Sequence, residues 1–95
     1  MWKESENKIT KRFEFKNFTE TLAFINQVGE LAEKANHHPD ILLHDYNFVL
    51  ITLQTHSERK VTQKDKALAK EIDALTWKRF HELLRLNLPN GEGGC

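Results

Sequence analysis

The apolar residues of this chain follow two spacings in alternation, and that alternation restricts the fold more than any other feature. Ile9, Phe13 and Phe15 share one parity with Lys11, while Thr10, Arg12 and Glu14 occupy the other, the two-residue period of a strand with one apolar face. Leu22, Ile25, Val28, Ala32 and Ala35 then recur at helical spacing. The two-residue period returns between Tyr46 and Thr55, with Val49, Ile51 and Leu53 on one face and Leu50, Thr52 and Gln54 on the other. Leu68, Ile72, Leu75, Arg79, Leu83 and Leu86 continue as a longer helical stripe. Each element has one apolar face to bury. The arrangement that buries them together is α+β, an antiparallel four-stranded sheet with helices packed on one face.

Local signals set the boundaries. Glu6-Asn7-Lys8 reads as a turn that pairs a short strand from Trp2 to Ser5 with Lys8 to Phe15. Asn17 followed by Glu20 is a capping box for the first helix. That helix must stop near Asn36, because Pro39 restricts His38 to extended geometry and Asn tolerates the left-handed conformation beyond a helix end. Leu42 to Asp45 forms a further strand, and Thr62 with Asp65 caps the last helix. Residues 1–88 make a single domain, and Pro89 with Asn90-Gly91-Glu92-Gly93-Gly94 opens a flexible tail over 89–95.

A chain of 95 residues buries only about 60 to 70% of its extended surface, so self-association would help stabilise it. Phe48 and Leu50, on the solvent side of their strand, and Trp77, Phe80 and Leu84, outside the main stripe of the last helix, read either as an interface between copies or as a wider core contact. Lys and Arg number 14 and so do Asp and Glu, which removes the basic footprint expected of direct nucleic-acid binding. No apolar run approaches the ~20 residues of a membrane span, and the polar start Met1-Trp2-Lys3-Glu4 is unlike a cleavable signal. The lone Cys95 permits no intrachain disulfide, which fits a cytoplasmic setting.

Five histidines in so short a chain are an excess, with His37, His38, His44 and His56 close together and His81 further on. The densest stretch is Glu33-Lys34-Ala35-Asn36-His37-His38-Pro39-Asp40, joined by His56 at a strand end and Asp65 at a helix start. Groups at element ends can converge at one sheet edge with rigid elements behind them. Two neutral imidazoles facing one small molecule can divide acid and base duties. Two other readings stand beside this one: a solvated polar turn, and a metal site drawing on His37, His38, His44 and His56, although no HExxH or paired-cysteine spacing is present. His44 and His81 read as surface residues. In an unbroken strand His56 points away from the face of Val49, Ile51 and Leu53, so either it faces a pocket on the other side or the strand pairing breaks before it.

The set Glu33, His37, His38, Pro39, Tyr46, His56 and Asp65, in that order and spacing, resembles the pterin-4a-carbinolamine dehydratases, and the likeness runs from about Trp2 to the last helix. The resemblance implies loss of water from 4a-hydroxytetrahydropterin to give quinonoid dihydropterin, the recycling step after an aromatic amino acid hydroxylase, with no cofactor and no metal. It implies acid and base work for His37 and His56, and substrate binding with transition-state support for His38. Pro39, Thr55, Ser57, Glu58 and Trp2 become substrate-binding residues. Asp65 is expected to orient His56 and Glu33 to orient the histidine pair. It also implies a homodimer or homotetramer. Asn36 stands where many relatives have Asp, Lys64 where some have Arg, and the connector from His38 to Tyr46 is the longer of the two lengths found in the family. Because some relatives stabilise a partner's oligomer, a non-catalytic binding module is the competing function; retention of all three histidines argues against it.

Overall fold

A computed structural model describes residues 2–86, with side chains in the last helix as far as residue 76. The elements are β1 (Lys3–Ser5), β2 (Lys8–Glu14), α1 (Phe18–Ala35), β3 (Asp40–His44), β4 (Phe48–Leu53) and α2 (Gln63–Leu86). The four strands form the one antiparallel sheet that the sequence pattern led to expect, and their order in it is β1-β2-β4-β3. Ile9 lies opposite Leu53, Lys11 opposite Ile51 and Phe13 opposite Val49, so the apolar parities of β2 and β4 fall on the same face.

That face meets both helices. Ile9, Phe13, Val49, Ile51 and Leu53 pack with Phe24 and Val28 of α1 and with Leu68, Ala69 and Ile72 of α2. Phe24 is fully buried, with its ring 4.9 Å from Phe13 and 4.8 Å from Phe15. The buried stripe of α1 is Thr21, Phe24, Val28 and Ala32. It keeps Val28 and Ala32 of the expected face but is rotated at its start, where Thr21 and Phe24 are buried and Leu22 is 42% exposed. Thr21 occupies a core position because its hydroxyl donates to the Asn17 carbonyl at 2.8 Å, which removes the cost of burying it.

Turn chemistry closes the hairpins. The β1–β2 turn holds Glu6 at φ 45°, and the β3–β4 connection holds Asp45 and Tyr46 at φ 50° and 57°, left-handed positions that cost a non-glycine residue about 1–2 kcal/mol. Asn47 anchors the second turn by donating its side-chain amide to the Phe15 carbonyl at 3.1 Å and accepting the Phe15 N–H at 2.9 Å. The sheet's other face carries Leu42, Phe48 and Leu50, with Arg12 5.7 Å from the Phe48 ring and His44 stacked on it at 5.3 Å. His44 is therefore half-buried rather than a plain surface residue. The side chains of Trp77, Phe80, His81 and Leu84, and the tail over 89–95, lie outside the described residues.

Candidate functional site

The two adjacent histidines are set by the end of α1. Asn36 adopts the left-handed conformation at φ 53°, its N–H donates to the Glu33 carbonyl, and the His37 N–H donates to the Ala32 carbonyl at 3.1 Å. This paired closure is a Schellman motif, and it fixes the backbone of His37 itself. From there the side chains diverge. His37 Nε2 lies 2.6 Å from Asp65 Oδ1, with the imidazole 11% exposed, while His38 Nε2 lies 2.7 Å from Glu33 Oε2 in a largely exposed pair. Glu33 thus holds His38 alone.

Asp65 is fully buried at the start of α2. Its Oδ2 accepts the Thr62 N–H at 2.8 Å, closing a capping box, and the Thr55 hydroxyl at 2.8 Å. Burial alone would raise its pKa, but the hydrogen bonds from the His37 imidazole, the Thr62 amide and the Thr55 hydroxyl outweigh burial and hold it below the usual carboxylate value. An ionised carboxylate can only accept, so with Asp65 in that form Nε2 is the donor of the His37–Asp65 bond. The expected partnership of Asp65 with His56 does not occur. Regular pairing ends at Leu53, Thr55 forms an isolated bridge with Lys60, and His56 sits exposed on the turn between them, so Asp65 meets the helix end instead.

The structure thus joins His37, Asp65, Thr55 and Thr62 into one hydrogen-bonded group. His38, Pro39 and Glu33 line a shallow hollow of about 860 Å³ between α1 and the start of β3. His56, Ser57 and Glu58 are exposed on the turn that follows Thr55. Thr55, expected to touch substrate, is buried with its hydroxyl committed to Asp65 and its N–H to Lys60, which makes its side chain part of the support. Trp2 lies in a separate hollow of about 570 Å³ with Lys66, Lys70 and Asp73, and its indole donates to Asp73 at 3.0 Å. Lys11 donates to the other oxygen of Asp73 at 2.8 Å. Among the described residues no three His, Cys, Asp or Glu side chains converge as a metal-ligand set.

The sequence profile of the pterin 4 alpha carbinolamine dehydratases matches residues 1–75. The chain belongs to that family. A relative from Picosynechococcus sp. that carries this dehydratase name is 49% identical over 74 residues, covering 78% of the chain and 79% of the relative. One from Sulfolobus acidocaldarius is 43% identical, covering 78% and 80%. Among solved structures, a transcriptional coactivator/pterin dehydratase from Brucella melitensis superposes with a TM-score of 0.72 at 39% identity, covering 77% of this chain and 79% of that one. A pterin dehydratase-like protein identified as a RuBisCO assembly factor of the α-carboxysome superposes with a TM-score of 0.64 at 28% identity, covering 79% and 86%. The family match spans the whole group built around His37 and Asp65.

Sequence reasoning missed two contributors. Thr62 was legible only as a helix cap, although a Thr-x-x-Asp cap near a histidine-rich segment is a signal that the carboxylate has a second use. The Lys11-Asp73-Trp2 cluster, which ties β2 and the residue before β1 to α2, joins residues too far apart in the chain for spacing to reveal.

Proposed function

We propose that this protein dehydrates 4a-hydroxytetrahydropterin to quinonoid dihydropterin. The carrying observation is the His37 imidazole held at 2.6 Å by the buried Asp65 carboxylate, in a chain of this family that keeps His38 and His56. In the reaction the C4a–O bond breaks, the N5–H proton leaves, a C4a=N5 double bond forms and the hydroxyl departs as water. One group must protonate the leaving hydroxyl and another must take the N5 proton. His37 and His56 carry these transfers, and His38 on the Glu33 side binds the substrate with Pro39, Ser57 and Glu58. No metal or cofactor takes part. The exposed apolar residues Ile41, Leu42 and Tyr46 around edge strand β3 support a homodimer or homotetramer. No helix among the described residues is long and apolar enough to cross a membrane, and a cytoplasmic role in pterin recycling accords with that. The test is the dehydration rate of freshly generated 4a-hydroxytetrahydropterin: acceleration above the spontaneous rate is expected, together with its loss in His38→Ala.

A second reading, an oligomer-stabilising binding module, draws on the structural likeness to the RuBisCO assembly factor. It predicts stoichiometric capture of a large partner and a dehydration rate equal to the spontaneous one.

A further inference from the structure

The hydroxyl of Thr62 has no role in the chemistry above, yet it joins the His37 group. Its Oγ1 lies 2.7 Å from Thr55 Oγ1, which lies 2.8 Å from Asp65 Oδ2. Counting protons fixes the direction of both bonds. Thr55 has one hydroxyl proton, and an ionised carboxylate offers none, so that proton goes to Asp65. The Thr55 oxygen must then accept from Thr62, whose own oxygen accepts the Lys64 N–H at 3.2 Å. The series runs one way, from the α2 backbone through two hydroxyls to the carboxylate, which receives His37 Nε2–H on its other oxygen.

We propose that Thr62 is a positioning residue for His37, acting through Thr55 and Asp65. The Thr62 backbone N–H is one of the two donors on Oδ2, and the Thr62 hydroxyl orients the other, that of Thr55. Oδ1 is left to the imidazole alone. Asp65 sets the Nε2–H tautomer, and the carboxylate plane that Thr62 helps to hold sets the direction of the ring, before any ligand arrives. The kinetic consequence rests on the dehydratase reading; the tautomer does not.

The test uses Thr62→Val, which keeps the amide and the shape but lacks the hydroxyl, and Thr62→Ser, which restores it. Two-bond ¹⁵N–¹H NMR of the unmodified protein reads the His37 tautomer without any variant, and Nε2–H is expected; Nδ1–H would overturn the proposal even if Thr62→Val fails to fold. In Thr62→Val the Nε2–H tautomer should persist, because Asp65 still only accepts, while the Nε2–H proton resonance of His37 shifts and kcat falls roughly three- to tenfold at nearly constant KM, the rate equivalent of one hydrogen bond's net contribution. Thr62→Ser should return the resonance to the parent position and kcat to within about twofold of the parent. An unchanged His37 Nε2–H resonance and kcat in Thr62→Val, or a defect that Thr62→Ser does not repair, overturns it. If the unmodified protein shows no dehydratase activity, the activity reading fails while the His37 resonance in Thr62→Val and Thr62→Ser still decides the role of Thr62.

Discussion

His37 and Asp65, 28 positions apart in the chain, meet at 2.6 Å because the end of α1 and the start of α2 reach the same side of the sheet. One carboxylate serves as helix cap, as acceptor for Thr55 and as imidazole partner. Losing it therefore affects folding and chemistry together.

Asp65→Asn separates the two. Oδ2 faces two donors, so the variant's amide oxygen should settle there and turn its NH₂ toward His37. The imidazole must then accept at Nε2 and carry its proton on Nδ1. A drop in kcat of roughly 10²- to 10⁴-fold is expected, the range between loss of one acid-base group and a catalytic imidazole in the wrong tautomer. Steady-state kinetics and ¹⁵N NMR on the same sample check it.

The stability carried by the Asp65 charge has a definite sign. Its folded pKa is lowered, so its contribution is fully present above the unfolded carboxyl value of about 3.9 and is lost as pH falls through the folded value. The stability difference between the parent and Asp65→Asn should shrink as pH is lowered from 5 to about 2. Urea unfolding across that range checks it, and a constant difference would contradict it.

Asn36 can be tested by backbone preference alone. With φ at 53°, Asn36→Val should cost about 1–2 kcal/mol and Asn36→Gly should hold or raise stability. Because the same closure fixes His37, Asn36→Val should also disturb the NMR signals of that ring.

The rotated stripe of α1 gives a paired prediction. Phe24→Ala removes a fully buried ring between Phe13 and Phe15 and should cost about 3–5 kcal/mol. Leu22→Ala, at a position 42% exposed, should cost less than about 1 kcal/mol. Thermal melts of the two variants separate the observed face from the one apolar spacing suggests.

The strands were legible in the sequence because Val49, Ile51 and Leu53 sit on a sheet with one covered face, where parity and burial coincide. Both helix starts and the stop at Asn36 were legible because caps are local chemistry. The face of α1 was not, since Thr21 enters the core through a backbone hydrogen bond that periodicity does not register, while Leu22 looks like core and is not. The family resemblance gathered the candidate residues, but the pairing of His37 with Asp65 and Thr55 was not legible. Whether Asp65 meets His37 or His56 depends on where β4 stops pairing, and that is decided by the bridge from Thr55 to Lys60.

The central claim is tested most directly by the dehydration rate of 4a-hydroxytetrahydropterin with the unmodified protein and with His37→Ala/His56→Ala, both confirmed folded by circular dichroism. The unmodified protein should exceed the spontaneous rate and the double variant should fall back to it. Equal rates for the two proteins would contradict the assignment of acid-base work to these histidines.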